Sequence, residues 1–279
     1  MFHALVAIKQ VPDTTNIRID PETGNLVREG VPAIMNPYDA HALAAAVEWK
    51  RKLDGRVTVI SMGPPSFTTT IREAVELGAD RGILVSDRKF AGADTLATSY
   101  VLAEVIKAIH KEDPIDLCFF GKQAIDGDTA QVGPGVAVRL DFPIVTYAIG
   151  LRTIDLDNET VIVERKTEQW TEVVETSLPA LLTCEKEIAE IPFASLPDLI
   201  KALRYDPEIW TLEGPIAFDA NHIGVRGSAT IVYQMGTPPL PEAGEKINTR
   251  ETSVVEAIDF TLRKAEEAGV LGAMLGSDR

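Results

Sequence analysis

Cysteine is nearly absent from this chain. Cys118 and Cys184 are the only two in 279 residues, too few for a disulfide framework and without the Cys-x-x-Cys spacing of a zinc or iron–sulfur site. Both sit in apolar runs, where a free thiol behaves as a small core residue, so both are expected to be buried in strands. Histidine is scarce as well. His3, His41, His110 and His222 lack paired metal-ligand spacing, and no persuasive Ser-His-Asp or Cys-His set is present, so structural roles are expected for them and no metal site is. Nowhere do about 18 apolar residues run without interruption, which excludes a membrane-spanning helix. Met1–Lys9 lacks the basic start and long apolar region of a signal peptide, and the expected location is the cytoplasm. Positive charge is also short: 27 Lys and Arg face 42 Asp and Glu, a net charge of −15. A phosphate backbone rewards clustered cations, so this charge argues against nucleic acid and anionic membrane as partners. Any nucleotide bound here must be held by local geometry and not by the overall field. Neither GxGxxG after the first strand nor GxxxxGK[ST] anywhere is found.

What remains is an ordinary globular composition, 45% hydrophobic and 25% charged. A chain of this length buries roughly 75% of its unfolded surface and needs no covalent staple. Ala4–Ile8 reads as a buried strand. Tyr38–Leu53 reads as a helix, with Ala42, Leu43, Ala46, Val47 and Trp49 on helical spacing and Gly55 past its end. Val57–Ser61, Gly82–Val85 and Leu117–Phe120 read as further strands. Helices are expected from a Ser66 cap to Leu77, with Gly78 as the stop, then over Leu96–His110 and over about Ala130–Leu140. This alternation implies an α/β fold with a mainly parallel sheet flanked by helices, Rossmann-like. After Pro143, Ala148–Leu156 and Thr160–Lys166 flank Asp157-Asn158-Glu159 as a β-hairpin, with Glu172–Thr176 and Ala180–Thr183 as added strands. From about Glu190 the chain is punctuated by Pro192, Pro197, Pro207, Pro215, Pro238, Pro239 and Pro241, before an amphipathic helix near Glu251–Glu267. This tail has too little continuous apolar sequence for a core of its own. It either packs against the α/β domain or lies across another subunit.

In open α/β sheets ligands sit beyond the carboxyl ends of the strands. Four such ends can be read: Lys9–Asp13, Met62–Pro65, Ser86–Thr95 and Gly121–Thr129. The last places a flexible glycine after a buried strand, then Asp126-Gly127-Asp128-Thr129 before a helix that Asp128 or Thr129 can cap. Amides of Thr129–Gln131 at that helix start suit a phosphate, each interaction contributing roughly 0.3–1 kcal/mol. Spacing alone leaves an ordinary capped turn open as the other reading. Asp126 and Asp128 could suggest a metal, but two carboxylates beside a helix start more often cap it. The residues thus point to a nucleotide-binding α/β protein with no catalytic group of its own. That suits a redox protein whose bound flavin carries the chemistry.

Several segments resemble, in order, the beta subunit of electron-transfer flavoproteins. Val6-Ala7-Ile8-Lys9-Gln10-Val11-Pro12-Asp13 resembles the family's opening strand and loop, and Asn36-Pro37-Tyr38-Asp39 its Asn-Pro-aromatic-Asp element. Met62-Gly63-Pro64 with Glu76-Leu77-Gly78-Ala79-Asp80-Arg81 resembles the next strand end and helix. Gly121-Lys122-Gln123-Ala124-Ile125-Asp126 matches the family's most characteristic run. Val163-Glu164-Arg165, Leu178-Pro179-Ala180 and Ala194-Ser195-Leu196-Pro197 with Ile200-Lys201-Ala202 complete the series, which spans about residues 4 to 204 and continues weakly beyond.

The resemblance implies an α/β nucleotide-binding domain over 1–190, and a partner-docking helix and extended C-terminal arm over 191–279 that embraces an alpha subunit. It implies an adenine nucleotide at Ala7, Asn36, Met62, Gly63 and Pro64, and along Gly121, Ala124, Asp126, Gly127, Asp128, Thr129, Ala130, Gln131, Val132 and Gly133. In most members the nucleotide is AMP; in the electron-bifurcating branch it is a second FAD. Where the AMP type carries Asn-Gln-Thr, this chain has Ala130-Gln131-Val132, and Gly127 permits close approach of backbone to ligand. Ser86-Asp87-Arg88-Lys89-Phe90-Ala91-Gly92-Ala93-Asp94-Thr95 resembles the bifurcating branch, as do Ile223–Ser228 and the longer tail. Asp87, Arg88, Asp94 and Thr95 join the expected site on that basis, though Asp87 and Arg88 also read as a solvated loop pair. Leu196 is implied to anchor a partner dehydrogenase, its other reading being a core leucine. The Thr167–Trp170 stretch departs from the family's glycine-containing turn and carries no role.

The function so implied is electron bifurcation. NADH is the donor, ferredoxin or flavodoxin takes one electron, and the alpha-subunit FAD passes the other to a flavin-dependent dehydrogenase of acyl-CoA or 2-hydroxy-acid type. The alternatives are a conventional AMP-holding beta subunit and a non-redox nucleotide-binding regulatory domain.

Overall fold

A computed structural model describes residues 1–13, 18–19, 26–27, 32–231 and 245–270. Pro238, Pro239 and Pro241 lie outside the described residues.

The central sheet has nine strands: β1 (His3–Ala7), β2 (Arg56–Met62), β3 (Arg81–Val85), β4 (Leu117–Gly121), β5 (Ile144–Asp155), β6 (Thr160–Lys166), β7 (Thr171–Ser177), β8 (Ala180–Cys184) and β9 (Glu208–Trp210). Their spatial order is β7-β6-β5-β8-β4-β1-β2-β3-β9. Every neighbouring pair is parallel except β5–β6 and β6–β7, which are antiparallel. From β1 the chain winds outward to β2 and β3, then returns across the sheet to β4 on the other side. The winding therefore reverses between β1 and β4, which is where an open α/β sheet leaves a crevice at its carboxyl edge.

Burial on both faces follows from the two-residue period of a strand. Ala4, Val6 and Ile8 pack with Leu43, Val47 and Ile71 of α1 (Pro37–Lys52) and α2 (Thr68–Glu76). Leu5 and Ala7 face the other way, into Val101, Val105, Ile106, Val136 and Ala137 of α3 (Thr95–Glu112) and α4 (Val132–Leu140). Cys118 and Cys184 are buried and free, one in each layer of this core, and burial raises both thiols far above their ordinary pKa.

The histidines fold into the scaffold. His3 is fully buried, with Nε2 2.8 Å from Thr58 Oγ1 and Nδ1 3.1 Å from the Pro114 carbonyl. Burial, assisted by Arg56, lowers its pKa to about 4. His41 Nδ1 lies 2.7 Å from the Ala189 carbonyl, and His110 Nδ1 accepts the Ile115 amide at 3.0 Å. His222 pairs with Asp219 at 2.9 Å. Among the described residues no cluster of His, Cys, Asp and Glu is arranged to hold a metal, and no helix is long and apolar enough to cross a membrane.

Two helix starts differ from the sequence reading. Ser66 does not cap a helix: it lies inside a 3-10 turn, Pro65–Phe67, and α2 begins at Thr68 without a side-chain cap. Pro65 presets the turn and Pro64 lacks an amide, so the chain takes this tighter path first. Likewise neither Asp128 nor Thr129 caps α4. The helix starts two residues later, with Gln131 at the cap position and no side-chain cap bond, because Asp128 and Ala130 hold positive φ angles of 51° and 53° that cannot enter a helix.

The first part of the proline-punctuated tail packs on the sheet. β9 pairs with β3 and so forms the sheet edge, α5 (Leu196–Leu203) packs on α2, and α6 (Gly224–Gly227) packs near α3. Residues 1–235 form one compact unit and 236–279 a second. The second contains α7 (Val254–Glu267), opened by a reciprocal capping box between Ser253 and Glu256.

Candidate nucleotide cleft

The loops at the carboxyl ends of β1, β2, β3 and β4 enclose a cleft of about 1380 Å³. Of the residues singled out in the sequence, Ala7, Met62, Gly63, Pro64, Asp87, Arg88, Asp94 and Thr95 line it, as do Gly121, Ala124 and Asp126 through Ala130, with Val132 and Gly133. Two act from outside it. Asn36 is fully buried, its amide nitrogen donating to the Gln123 carbonyl at 2.9 Å and its side-chain oxygen accepting the Ile125 amide at 3.2 Å. It therefore shapes the Gly121 loop from behind. Gln131 accepts a hydrogen bond from Thr95 Oγ1 at 2.7 Å, tying the start of α4 to the start of α3.

Asp39 was quoted in the sequence but given no role, and it occupies the switch point itself. Its Oδ2 accepts the Lys9 amide at 2.8 Å and its Oδ1 the Gly121 amide at 3.1 Å, so one carboxylate joins the ends of β1 and β4. Burial pushes this carboxyl up to about 7, although hydrogen bonds from Asn36, Lys9 and Gly121 pull the other way. Any side chain on residue 121 would overlap Asp39 Oδ1, which makes glycine obligatory there. Ser86, Phe90, Leu102, Phe120, Lys122 and Gln123 also line the cleft without having been named as site residues. Ser86, Phe90, Lys122 and Gln123 belong to the segments that resemble the family, whereas Leu102 and Phe120 reach the cleft through tertiary packing that no local pattern marks.

The carboxylates around the cleft are all engaged. Asp126 pairs with Lys9 at 2.7 Å, Asp128 accepts from Gln123 at 2.6 Å, and Asp87 caps a short turn through the Lys89 amide at 2.9 Å. Partial burial raises the Asp94 pKa, but hydrogen bonds from Ala97, Thr230 and Ala229 outweigh it and hold the group below its ordinary value. Lys122 pairs with Glu185 at 2.9 Å. Among the described residues no carboxylate stands within ion-pair distance of Arg88, which leaves it the available cation of the cleft.

The backbone supplies the rest. Gly127 and Asp128 both donate to the Ala124 carbonyl, at 3.2 and 2.8 Å, folding the loop back before α4. The amides of Thr129, Ala130, Gln131, Val132 and Gly133 then have no hydrogen-bond partner among the described residues, and Pro134 has no amide to offer. Three of these donors, on Gln131, Val132 and Gly133, open α4 with the helix dipole behind them, and two lie in the loop just before it; free amides so placed can receive an anion. A Cβ placed on Gly127 would meet nothing within 4 Å, so the space beside the loop is open. Donor-rich backbone, open space and a mostly apolar floor suit an adenine nucleotide.

Comparison with known proteins places the chain in a family. The family model described as the electron transfer flavoprotein domain matches residues 23–203. Protein FixA of Azotobacter vinelandii is 43% identical over 264 residues, covering 94% of both chains. The electron transfer flavoprotein subunit beta of Thermoanaerobacterium thermosaccharolyticum is 45% identical over 245 residues, 88% of this chain and 91% of the relative. The caffeyl-CoA reductase-Etf complex subunit CarD of Acetobacterium woodii is 42% identical over 268 residues, 96% of this chain and 99% of the relative. A match this long, over residues that build the crevice, means that the chain belongs to the electron transfer flavoprotein family as a beta subunit, of the kind that pairs with an alpha subunit.

Proposed function

We propose that this chain is the beta subunit of an electron-bifurcating electron-transfer flavoprotein and that its cleft holds FAD. The observation that carries this reading is the run of orphan amides from Thr129 to Gly133 beside the open space at Gly127, in a cleft of about 1380 Å³. Clefts for a single drug-sized ligand measure roughly 300–1,000 Å³, so this one leaves room for a dinucleotide. A bound flavin supplies one- and two-electron redox chemistry that no side chain offers.

The chain's own part is to bind, orient and exclude water. The free amides from Thr129 to Gly133 cradle the phosphates, Gly121, Ala124 and Asp126–Asp128 shape the loop that presents them, and Arg88 adds a cation. Ala7, Met62, Gly63 and Pro64 form the apolar floor, while Asp87, Asp94 and Thr95 belong to the facing wall. Asn36 and Gln131 hold these loops in place. NADH is the proposed donor, with ferredoxin or flavodoxin and a flavin-dependent dehydrogenase as acceptors. The relative named as part of a caffeyl-CoA reductase complex favours an acyl-CoA-type dehydrogenase over a 2-hydroxy-acid type. Leu196 is 69% exposed at the start of α5, with Leu199, Ile200 and Leu203 exposed on the same short helix, which supports docking there. In this reading residues 1–190 form the nucleotide domain, 191–279 serve docking and grip of the alpha subunit, and the complex works in the cytoplasm.

The test is the ligand content of the purified pair with its alpha subunit. Two FAD and no AMP per pair, with ferredoxin reduction driven by NADH, is the expected result. One FAD and one AMP without NADH activity would overturn it.

A further inference from the structure

The outer wall of the cleft is the loop after β3, and it does not stand by itself. It is fastened by a segment more than a hundred residues later in the chain, from β9 to just past α6. The Asp94 carboxylate caps α3 through the Ala97 amide at 3.0 Å with one oxygen. Its other oxygen accepts the amides of Ala229 and Thr230 at 2.8 and 2.9 Å and the Thr230 hydroxyl at 3.1 Å. The bonding is reciprocal, because the Asp94 amide donates to Ser228 Oγ at 2.8 Å, and that hydroxyl donates to the Gly224 carbonyl at 2.8 Å.

Further along the loop, Gly224 takes a φ of +53° and lies so close to the Lys89 carbonyl that a Cβ would overlap it. Phe90 packs edge-on against Phe218 with ring centroids 5.3 Å apart. The Ser86 amide donates to the Trp210 carbonyl at 2.9 Å. Loops of this length, built of small residues such as Ala91-Gly92-Ala93, are ordinarily mobile. Here nearly every turn of the loop is pinned from the same side.

We infer that residues 208–230 are a strap that positions the cleft wall for its ligand, and that Asp94 is a positioning residue held by the strap and not a ligand contact. The four donors on its carboxylate, from Ala97, Ala229 and Thr230, leave it little capacity to accept from a bound group. The strap itself, Gly224 included, contributes no residue to the lining of the cleft. Its action is therefore indirect, and it can be separated from binding. This inference rests on the nucleotide reading of the cleft, but the strap has its own readout.

The experiment uses the full-length chain purified with its alpha subunit. Gly224→Ala adds a methyl group where the strap meets the Lys89 carbonyl, at a φ that disfavours any side chain. Two quantities are followed: hydrogen exchange of peptides covering 86–97, and the dissociation rate of the cleft nucleotide, read from its visible circular dichroism if it is FAD or by nucleotide analysis if it is AMP. Exchange across 86–97 should quicken and nucleotide loss should accelerate at least tenfold, with the alpha-subunit flavin unchanged. Faster exchange in 222–230 alone, with wall protection and nucleotide dissociation as in the parent, would overturn the inference. If Gly224→Ala does not yield folded complex, Ser228→Ala removes the hydroxyl between Asp94 and Gly224 at a smaller perturbation, and a loss of wall protection is again expected. A parent complex that holds no cleft nucleotide would refute the nucleotide reading, while the exchange measurement would still decide the strap.

Discussion

Asp39 and His3 show how differently two buried ionisable residues can sit in one sheet. Asp39 is at the carboxyl edge, joins the ends of β1 and β4, and titrates near 7. His3 is at the opposite edge, where Arg56, Asp113 and Asp116 gather around the start of β1. With a folded pKa of about 4 against 6.5 for the free group, His3 binds fewer protons in the folded state than in the unfolded state between those values. Its contribution to stability is complete above pH 6.5 and is lost as pH falls toward 4. Asp39 has the reverse sign. Its folded pKa lies above its ordinary value, so its contribution favours the fold at low pH and fades as pH rises toward 7. Urea midpoints measured from pH 4 to 7 should therefore become less acid-sensitive in His3→Gln than in the parent, the difference amounting at most to about 3 kcal/mol. An unchanged pH slope would show that His3 titrates alike in both states. The sequence marked the Gly121 loop because glycine after an apolar run is a local signal. It could not mark Asp39, since a carboxylate in the first turn of a helix is common and only the folded sheet brings it between two strand ends.

At the scale of elements, the long periodic segments were legible. α1, α3 and strands β1 to β4 lie within one or two residues of their expected ends, because both period and bounding residues agree. The misread starts of α2 and α4 both follow loops whose backbone is set by something other than a cap: prolines in one, positive φ at Asp128 and Ala130 in the other. β9 was not foreseen, as Glu208–Trp210 has only three residues and pairs with a strand more than a hundred positions earlier. α5 gives the clearest test at this scale. Ser195 caps it, with its hydroxyl accepting from the Asp198 amide at 3.3 Å, and its apolar face is open. Leu196→Glu should slow electron transfer to the partner dehydrogenase at least tenfold. It should leave thermal stability within roughly 0.5 kcal/mol, as expected for an exposed site. A large loss of stability with normal transfer would return Leu196 to a structural role.

For the whole molecule, the class of fold could be read from alternation, but the strand order could not, because nothing local fixes where a returning strand inserts. The expected cleft emerged from that order, through the reversal between β1 and β4. The low cysteine count has a corresponding prediction. Both thiols are buried, with burial raising their pKa, so a thiol reagent should label neither in the native protein and two per chain in urea. Labelling of the native chain would mean that one of the two core layers opens. This inertness gives the empty surroundings of Gly127 a practical use. A cysteine introduced at that position would be the sole reactive sulfur of the chain, free of steric conflict with its own protein and placed at the lip of the cleft. A dye attached there would share the space beside the loop with any ligand, so its optical response would report whether the cleft is empty or filled.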